Sequence, residues 1–465
     1  MGLLLGVGDT TPQFPYTDLW YGIKINTANG GHNVADGKLE RVGNLALHKS
    51  LPIQKRIKRY VANVDGSVNY WLGENDSRVK EGGGAANLNA VDGIVQLYKP
   101  DYYRRIEFDG QYLLVAISEV ALPGFTHMKE KSRSPWCATF NRSDNKPTCA
   151  CFLTWDGDEP ARDEDGMLVL TSNASTYRGG GNNASRDSAY NSDLGMPASA
   201  TAKSTIRTRC ASLGDNWHFG GWKFREEMSW LMAIEFGELD SQAAYNAQLT
   251  AEGYHQGGLG NGTYWNSTDW NAHNGYYPFI PAGITAPLGN NTGIVDYDCL
   301  LSDGTTKTFH VASYRGWEQP QQYLYEQNDD VLVYNDLTNN KTTLYMCSDP
   351  SKFATPADSA TSVPDGYNEL GLLPPPTADG YISQMGAALG YTFPNSITGG
   401  GSNKHYCDYY WHPTNDGFYQ LLSACGAHSA EGAGVRSAYA DYRGARTTAY
   451  YGFPLCLEFP NSEGI

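Results

Sequence analysis

The hydrophobic pattern along this chain is mostly of period two, in short runs divided by polar loops. Tyr60 to Val64 reads as a strand, and Gly93-Ile-Val-Gln-Leu-Tyr98 alternates as another. Tyr102 to Glu107 and Tyr112 to Ser118 form a predicted hairpin about Asp109-Gly110, since Asp-Gly supplies the positive φ of a tight turn. The period lengthens clearly once. Phe224, Met228, Leu231 and Met232 fall at i, i+4, i+7 and i+8, which predicts a helix from Phe224 to Leu239 with an apolar stripe laid on a sheet. Trp217 and Trp222 precede it and Gly237 lies near its end. Glu235, beside the stripe, is expected as a partnered structural acid.

Residues 124 to 204 are loop-heavy, with a Gly/Asn/Ser stretch from Tyr177 to Asn191. Near the C-terminus only brief apolar pieces remain, Leu421-Leu422 and Leu455-Cys-Leu457, and these are expected to be sheet strands. The resulting expectation is an α+β protein. A small β-rich N-terminal module, 1–124, serves attachment or oligomerisation, and a long loop-rich body, 125–465, follows it.

Composition narrows the function classes. Of 465 residues 40% are hydrophobic and only 18% charged, with 52 Gly, 32 Tyr and 11 Trp, a globular and loop-rich balance. The net charge of −16 argues against a nucleic-acid partner, which needs a basic face. The local basic patch, His48-Lys49 and Lys55-Arg-Ile-Lys-Arg59, is expected as a solvated face or a subunit contact. No run approaches the ~20 apolar residues of a membrane span, so no membrane insertion is expected. The apolar start Met1 to Val7 lacks a basic flank and meets Asp9, unlike a signal peptide, and Gly6 stands where a myristoylation pattern after Gly2 wants Ser or Thr.

Nine cysteines without paired metal-type spacing suggest reduced, mostly buried thiols and cytoplasmic synthesis. The acidic groups at Asp156 to Glu159 and Asp163 to Gly166 do not match a calcium loop and read as solvated turns. No cofactor or metal is expected.

The segment from Ser402 to Phe459 carries the strongest functional signal. Its loops are rich in Tyr, Asp, His, Ser, Ala, Asn and Thr. A catalytic site needs a few specified groups, whereas this segment offers many interchangeable ones. Such a mixture resembles a paratope, in which Tyr gives rigid amphipathic area and small polar residues give adaptable hydrogen bonds. Randomising the adenines of an AAC codon yields Tyr, Asp, His, Ser, Thr, Ala, Gly and Phe, and never Lys, Glu, Gln, Trp or Met. The loops draw mainly on the first set, with Gln420 and Glu431 outside it.

Four stretches resemble the variable proteins diversified by retroelements, many of them phage tail-fibre receptor-binding proteins. Ile206-Arg-Thr-Arg-Cys-Ala-Ser212, with Trp217 and the helix running on through Met232 to Ala243, looks like that family's first helix and the segment after it. Ser313-Tyr-Arg-Gly-Trp-Glu-Gln-Pro320 looks like its "YRGxENP" motif, and Leu344 to Phe353 like the strand and turn that follow. His405-Tyr-Cys-Asp-Tyr409 and Gly452-Phe-Pro-Leu-Cys-Leu457 bracket what looks like its variable region, about 404–459. Leu51 to Gln54, Pro100 to Arg105 and Pro123 to Phe125 look like the module that precedes it. Two departures stand out: Gln319 to Tyr325 replaces the usual "NPFG" continuation, and Pro454 the usual Arg.

The resemblance implies a C-type-lectin fold related to formylglycine-generating enzymes. It also implies a virion location, other tail proteins as partners and a homotrimeric fibre. The catalytic Cys pair of those enzymes has no counterpart, because Cys407, Cys425 and Cys456 read as core or loop positions.

No Gly-x-Ser-x-Gly, His-Glu-x-x-His or Gly-x-x-x-x-Gly-Lys motif occurs. His405, His412 and His428 are metal ligands only if the fold gathers them, and Asp408 is a glycosidase acid only if it is not a structural residue bonding the backbone. A non-enzymatic binder of a bacterial surface protein or glycan is therefore expected, with a tail-borne glycan hydrolase or a fixed lectin as the alternative. The expected contact residues are Tyr410, His412, Asn415, Asp416, Tyr419, His428, Ser429, Tyr439, Asp441, Tyr442, Tyr450 and Tyr451.

Overall fold

The computed structural model describes residues 17–187 and 192–459. The apolar start with Gly2, and the end of the loop from Tyr177 to Asn191, lie outside these residues. Among the described residues strand dominates, in short pieces, and four α-helices punctuate it: α1 (Leu45–Ser50), α2 (Lys203–Ala211), α3 (Trp222–Phe236) and α4 (Ser267–Asn274). The mixed α+β class expected from the pattern is what forms.

Helix α3 organises the molecule. Its apolar stripe was legible, but all 15 of its residues are buried, so it threads the core instead of lying on one sheet. Asp330, from a distant turn, caps its N-terminus by accepting from the backbone N–H of Trp222 at 3.2 Å and Lys223 at 3.0 Å. Gly237 takes the left-handed φ of 65° that ends it, and the Arg41 guanidinium donates to the carbonyl of Phe236 at 2.9 Å. Four of its charged side chains meet partners from other segments. Glu226 pairs with Arg104, Glu227 with Lys99 and Lys131, Arg225 with Glu326, and Glu235 with Arg315. Glu235, which also accepts from the Tyr314 hydroxyl at 3.1 Å, is the partnered acid that was expected.

Three sheets of five or six strands form among the described residues. One is antiparallel, in the order Leu39–Gly43, Tyr21–Asn26, Tyr112–Ser118, Tyr102–Asp109, Thr126–Met128, and contains the expected Asp109-Gly110 hairpin. A second runs Trp217–His218, Cys456–Leu457, Lys131–Arg133, Ile94–Lys99, Lys58–Ala62, Val68–Trp71. The third belongs largely to the C-terminal segment and runs Gly380–Tyr381, Tyr409–Trp411, Ala438–Tyr439, Leu422–Ser423, Tyr325–Glu326, Tyr451–Gly452.

The expected division at 124/125 is not a break in the structure. Thr126–Met128 pairs with Tyr102–Asp109, and Lys131–Arg133 bridges Ile94–Lys99 to the C-terminal strand Cys456–Leu457. One hydrophobic cluster takes residues from Tyr21 through α3 to Ala440. The sequence pattern is blind to this, because two- and three-residue strands carry too little alternation to announce their partners.

The basic patch also divides. Lys58 pairs with Glu81 near the surface, but Arg59 is fully buried, donating to the carbonyls of Gly316 at 2.7 Å and Thr285 at 3.0 Å. Arg59 is thus internal structure and not part of a solvated face. All nine cysteines are free, eight of them buried. Among the described residues no helix is long and apolar enough to cross a membrane.

Candidate functional site

The third sheet creates a surface through simple alternation. In strand Tyr409–Trp411 the middle residue, Tyr410, points inward and is fully buried, which sends Tyr409 and Trp411 outward. Register carries the pattern sideways: Tyr381 lies opposite Tyr409, and Trp411 opposite Tyr439. Beneath the outer rings sits a small layer of Tyr325, Leu422, Cys425, Ala433 and Tyr451, against which Trp411, Tyr439, Tyr442 and Tyr450 pack while staying partly exposed.

The outcome is a continuous aromatic strip. Tyr381 meets Tyr409 edge-on at 4.9 Å, Tyr409 meets Trp411 at 4.7 Å, and Trp411 stacks on Tyr439 at 4.8 Å. Tyr439 then stacks on Tyr442 at 4.9 Å with planes only 8° apart. Tyr451 beneath links Tyr442 to Tyr450, and Tyr450 meets His428 at 5.3 Å and Tyr276 at 5.6 Å. The Arg446 guanidinium lies 3.9 Å from the Tyr442 ring centroid, a cation over the strip's face. Burial raises the Tyr439 and Tyr450 hydroxyls above the usual tyrosine range, with Tyr442 adding to it.

The expected contact residues divide by this geometry. Tyr439, Tyr442, Tyr450 and His428 lie along the strip, with the Ser429 hydroxyl 3.1 Å from that of Tyr325 beside it. His412 and Asp441 form a polar rim, His412 Nδ1 lying 2.5 Å from Asp379 and Asp441 facing Thr414 and His412. Asn415 and Asp416 are exposed at the turn before strand Gly417–Tyr419.

Three expectations are corrected. Tyr410 and Tyr451 are 0% exposed and Tyr419 is 2%, so none of these side chains is a surface anchor. Tyr410 faces the core as the central residue of its strand, Tyr451 is the floor under Tyr442 and Tyr450, and Tyr419 turns its hydroxyl back onto the backbone of Asn415. Conversely Tyr381, Tyr409, Trp411 and Tyr276 were missed, although alternation within Tyr409-Tyr-Trp411 was the available signal for two of them.

The four titratable side chains considered for chemistry lie apart from one another. Asp408 is fully buried, and its Oδ2 accepts from the backbone N–H of Arg436 at 2.7 Å, the structural role considered for it. Burial raises its carboxyl to about 8 against the lowering pull of Arg436. Gly434 is required above it, because a Cβ there would collide with the carboxylate. His405 lies 2.8 Å from Lys38, His412 joins Asp379, and His428 joins Tyr276 and Tyr450, so the three histidines occupy separate surroundings.

Beside the Tyr381 end of the strip opens a cleft of about 490 Å³, lined by Asp240, Gln242, Asn261, Tyr264, Ser402 and Glu431 among others. Two comparisons, one with protein-family models and one with curated proteins, find no match for this chain.

Proposed function

We propose that this chain is a receptor-binding adhesion protein of the phage tail-fibre kind. Its C-terminal segment forms a diversified face on a C-type-lectin-like scaffold and binds a bacterial surface protein or glycan. The observation that carries this reading is the aromatic strip from Tyr381 to Tyr450, half-sunk on a rigid layer and edged by small polar residues. Aromatic rings fixed by their neighbours offer large contact area at little entropic cost, which is how hot spots are built. The surrounding Asn415, Asp416, Ser429 and Asp441 would tune specificity.

In this reading the chain works without catalysis or cofactor, in a virion, after synthesis in the host cytoplasm. It assembles with other tail proteins, and a homotrimer multiplies modest single-site affinity through linked sites. The polar cleft beside Tyr381 favours a glycan among the targets, since Gln242, Asn261, Ser402 and Glu431 next to the Tyr264 ring match hydroxyl-rich ligands. A fixed-specificity lectin would use the same cleft.

The test is binding of labelled protein to a panel of bacterial cells and to a glycan array. Replacing Tyr439 and Tyr442 together by Ala is expected to abolish binding by a chain that still folds, with a melting temperature lowered by the lost ring contacts at about 1 kcal/mol each. Undiminished binding by the folded double variant would remove these rings from the contact surface.

A further inference from the structure

The loop after the first described strand, the turn after α3 and the start of the C-terminal segment meet at one point. A ring nitrogen of His32, a carboxylate oxygen of Asp240 and Sγ of Cys407 all lie within 4.8 Å of one another. We propose that these three residues bind a zinc-like divalent transition metal that staples the C-terminal segment to the N-terminal loop.

The donor chemistry comes first. Thiolate, imidazole and carboxylate on a single ion form a borderline-soft set that suits Zn²⁺ and disfavours Mg²⁺ or Ca²⁺, which take oxygen ligands. Metal–ligand bonds of about 2.0–2.3 Å in a tetrahedron place the donor atoms about 3.3–3.6 Å apart. From a separation of at most 4.8 Å, closure needs a shift of little more than an ångström, within reach of side-chain rotation.

The second observation is the support around the donors. Glu238 Oε1 lies 2.7 Å from His32 Nδ1, a carboxylate–imidazole pairing that fixes the ring beside the other two donors. The same carboxylate oxygen accepts from the Asp240 backbone N–H at 2.9 Å, so one group sets two of the three ligands. The backbones are also fixed: Leu239 N–H donates to the His32 carbonyl at 2.9 Å, and His405 N–H to the Gly31 carbonyl at 3.0 Å.

A divalent ion would replace the Cys407 thiol proton, which leaves to solvent, and would pair with the Asp240 carboxylate. Lys38 is engaged nearby by the Asn29 carbonyl and His405, at 2.7 and 2.8 Å. Asp240 also lines the open cleft, an entry path for the ion.

The experiment is titration of the purified, metal-stripped full chain with Zn²⁺, and in parallel with Co²⁺, whose thiolate charge-transfer band reports a sulfur ligand. The expected result is one ion per chain, the Co²⁺ band, and a higher melting temperature with metal. Cys407→Ser is expected to abolish the band, and Asp240→Asn and His32→Ala to lose stoichiometric binding. Glu238→Gln is expected to weaken affinity 10–100-fold. Each variant is first compared with wild type by circular dichroism in EDTA. Should Cys407→Ser not fold, the partly exposed Asp240 and His32 decide the matter alone. Absence of one-to-one binding by the wild type, or equal binding by the Asp240→Asn and His32→Ala variants, would overturn the site.

Discussion

Asp408 shows how a single residue can look functional in a sequence and prove structural in a fold. It opens a loop-rich segment between Cys407 and Tyr409, where an acid is a reasonable catalytic candidate. In the structure it is enclosed, bonded to the Arg436 backbone and covered by Gly434. Its carboxyl is raised from 3.8 to about 8, so the folded state holds a proton that the unfolded chain releases. A raised acid weakens the fold as pH climbs from the ordinary value toward the folded one. Asp408→Asn is therefore expected to gain stability relative to wild type progressively between about pH 4 and pH 8, measured as the difference in urea midpoints across that range. A difference that does not change with pH would contradict the assignment. The aromatic residues teach the same lesson with the opposite sign. That the segment's tyrosines form a surface was legible from their abundance, but which ones face outward depends on strand register. That is why Tyr410, Tyr419 and Tyr451 exchange roles with Tyr381, Tyr409 and Trp411.

At the scale of elements, α3 was the most legible feature, since its apolar spacing survives in any context. Its complete burial was not legible, because the partners of its charges lie far away in sequence. Glu326 joins Arg133 from one strand to Arg225 of α3, at 2.8 and 2.7 Å. Burial would raise the Glu326 carboxyl, but Arg133 and Arg225 outweigh it and hold the group at about 2. Glu227 is held at about 2 in the same way, burial being overcome by Lys131, Lys99 and Arg104. Carboxylates depressed in the folded state stabilise it fully above the unfolded value of 4.5, and this contribution is lost as pH falls toward 2. Removing one member of a buried ion group leaves the others uncompensated, at a cost of about 3–5 kcal/mol. Glu326→Gln is expected to lower stability by that amount at neutral pH and to flatten the acid limb between pH 4.5 and 2, read from denaturant midpoints. A neutral effect would show that the triad is replaceable.

Over the whole molecule, the C-terminal strand Cys456–Leu457 inserts beside Lys131–Arg133 in the sheet that also holds Ile94–Lys99. The chain thus closes on itself, and the C-terminal segment is bounded by strands that belong to two different sheets. This closure was the least legible feature, because pairing between brief strands more than 300 residues apart leaves no local trace. Fragments 1–124 and 125–465 are accordingly expected to be unfolded when expressed separately. The intact chain should melt in one transition, as circular dichroism and calorimetry would show. A folded 1–124 fragment would restore the division into two modules. A framework closed in this way can hold its inward residues while the outward ones change, which is what the proposed diversified binder requires.

The most direct measurement is deep sequencing of codons 404 to 459 in a natural population of the gene. Substitutions are expected at adenine positions, concentrated at outward sites such as Tyr439, Asp441, Tyr442 and Tyr450. The inward Tyr410, Tyr419 and Tyr451 are expected to stay fixed, together with Trp411, Gln420 and Glu431. A uniform sequence, or variation spread equally over inward and outward positions, would contradict a diversified receptor-binding surface.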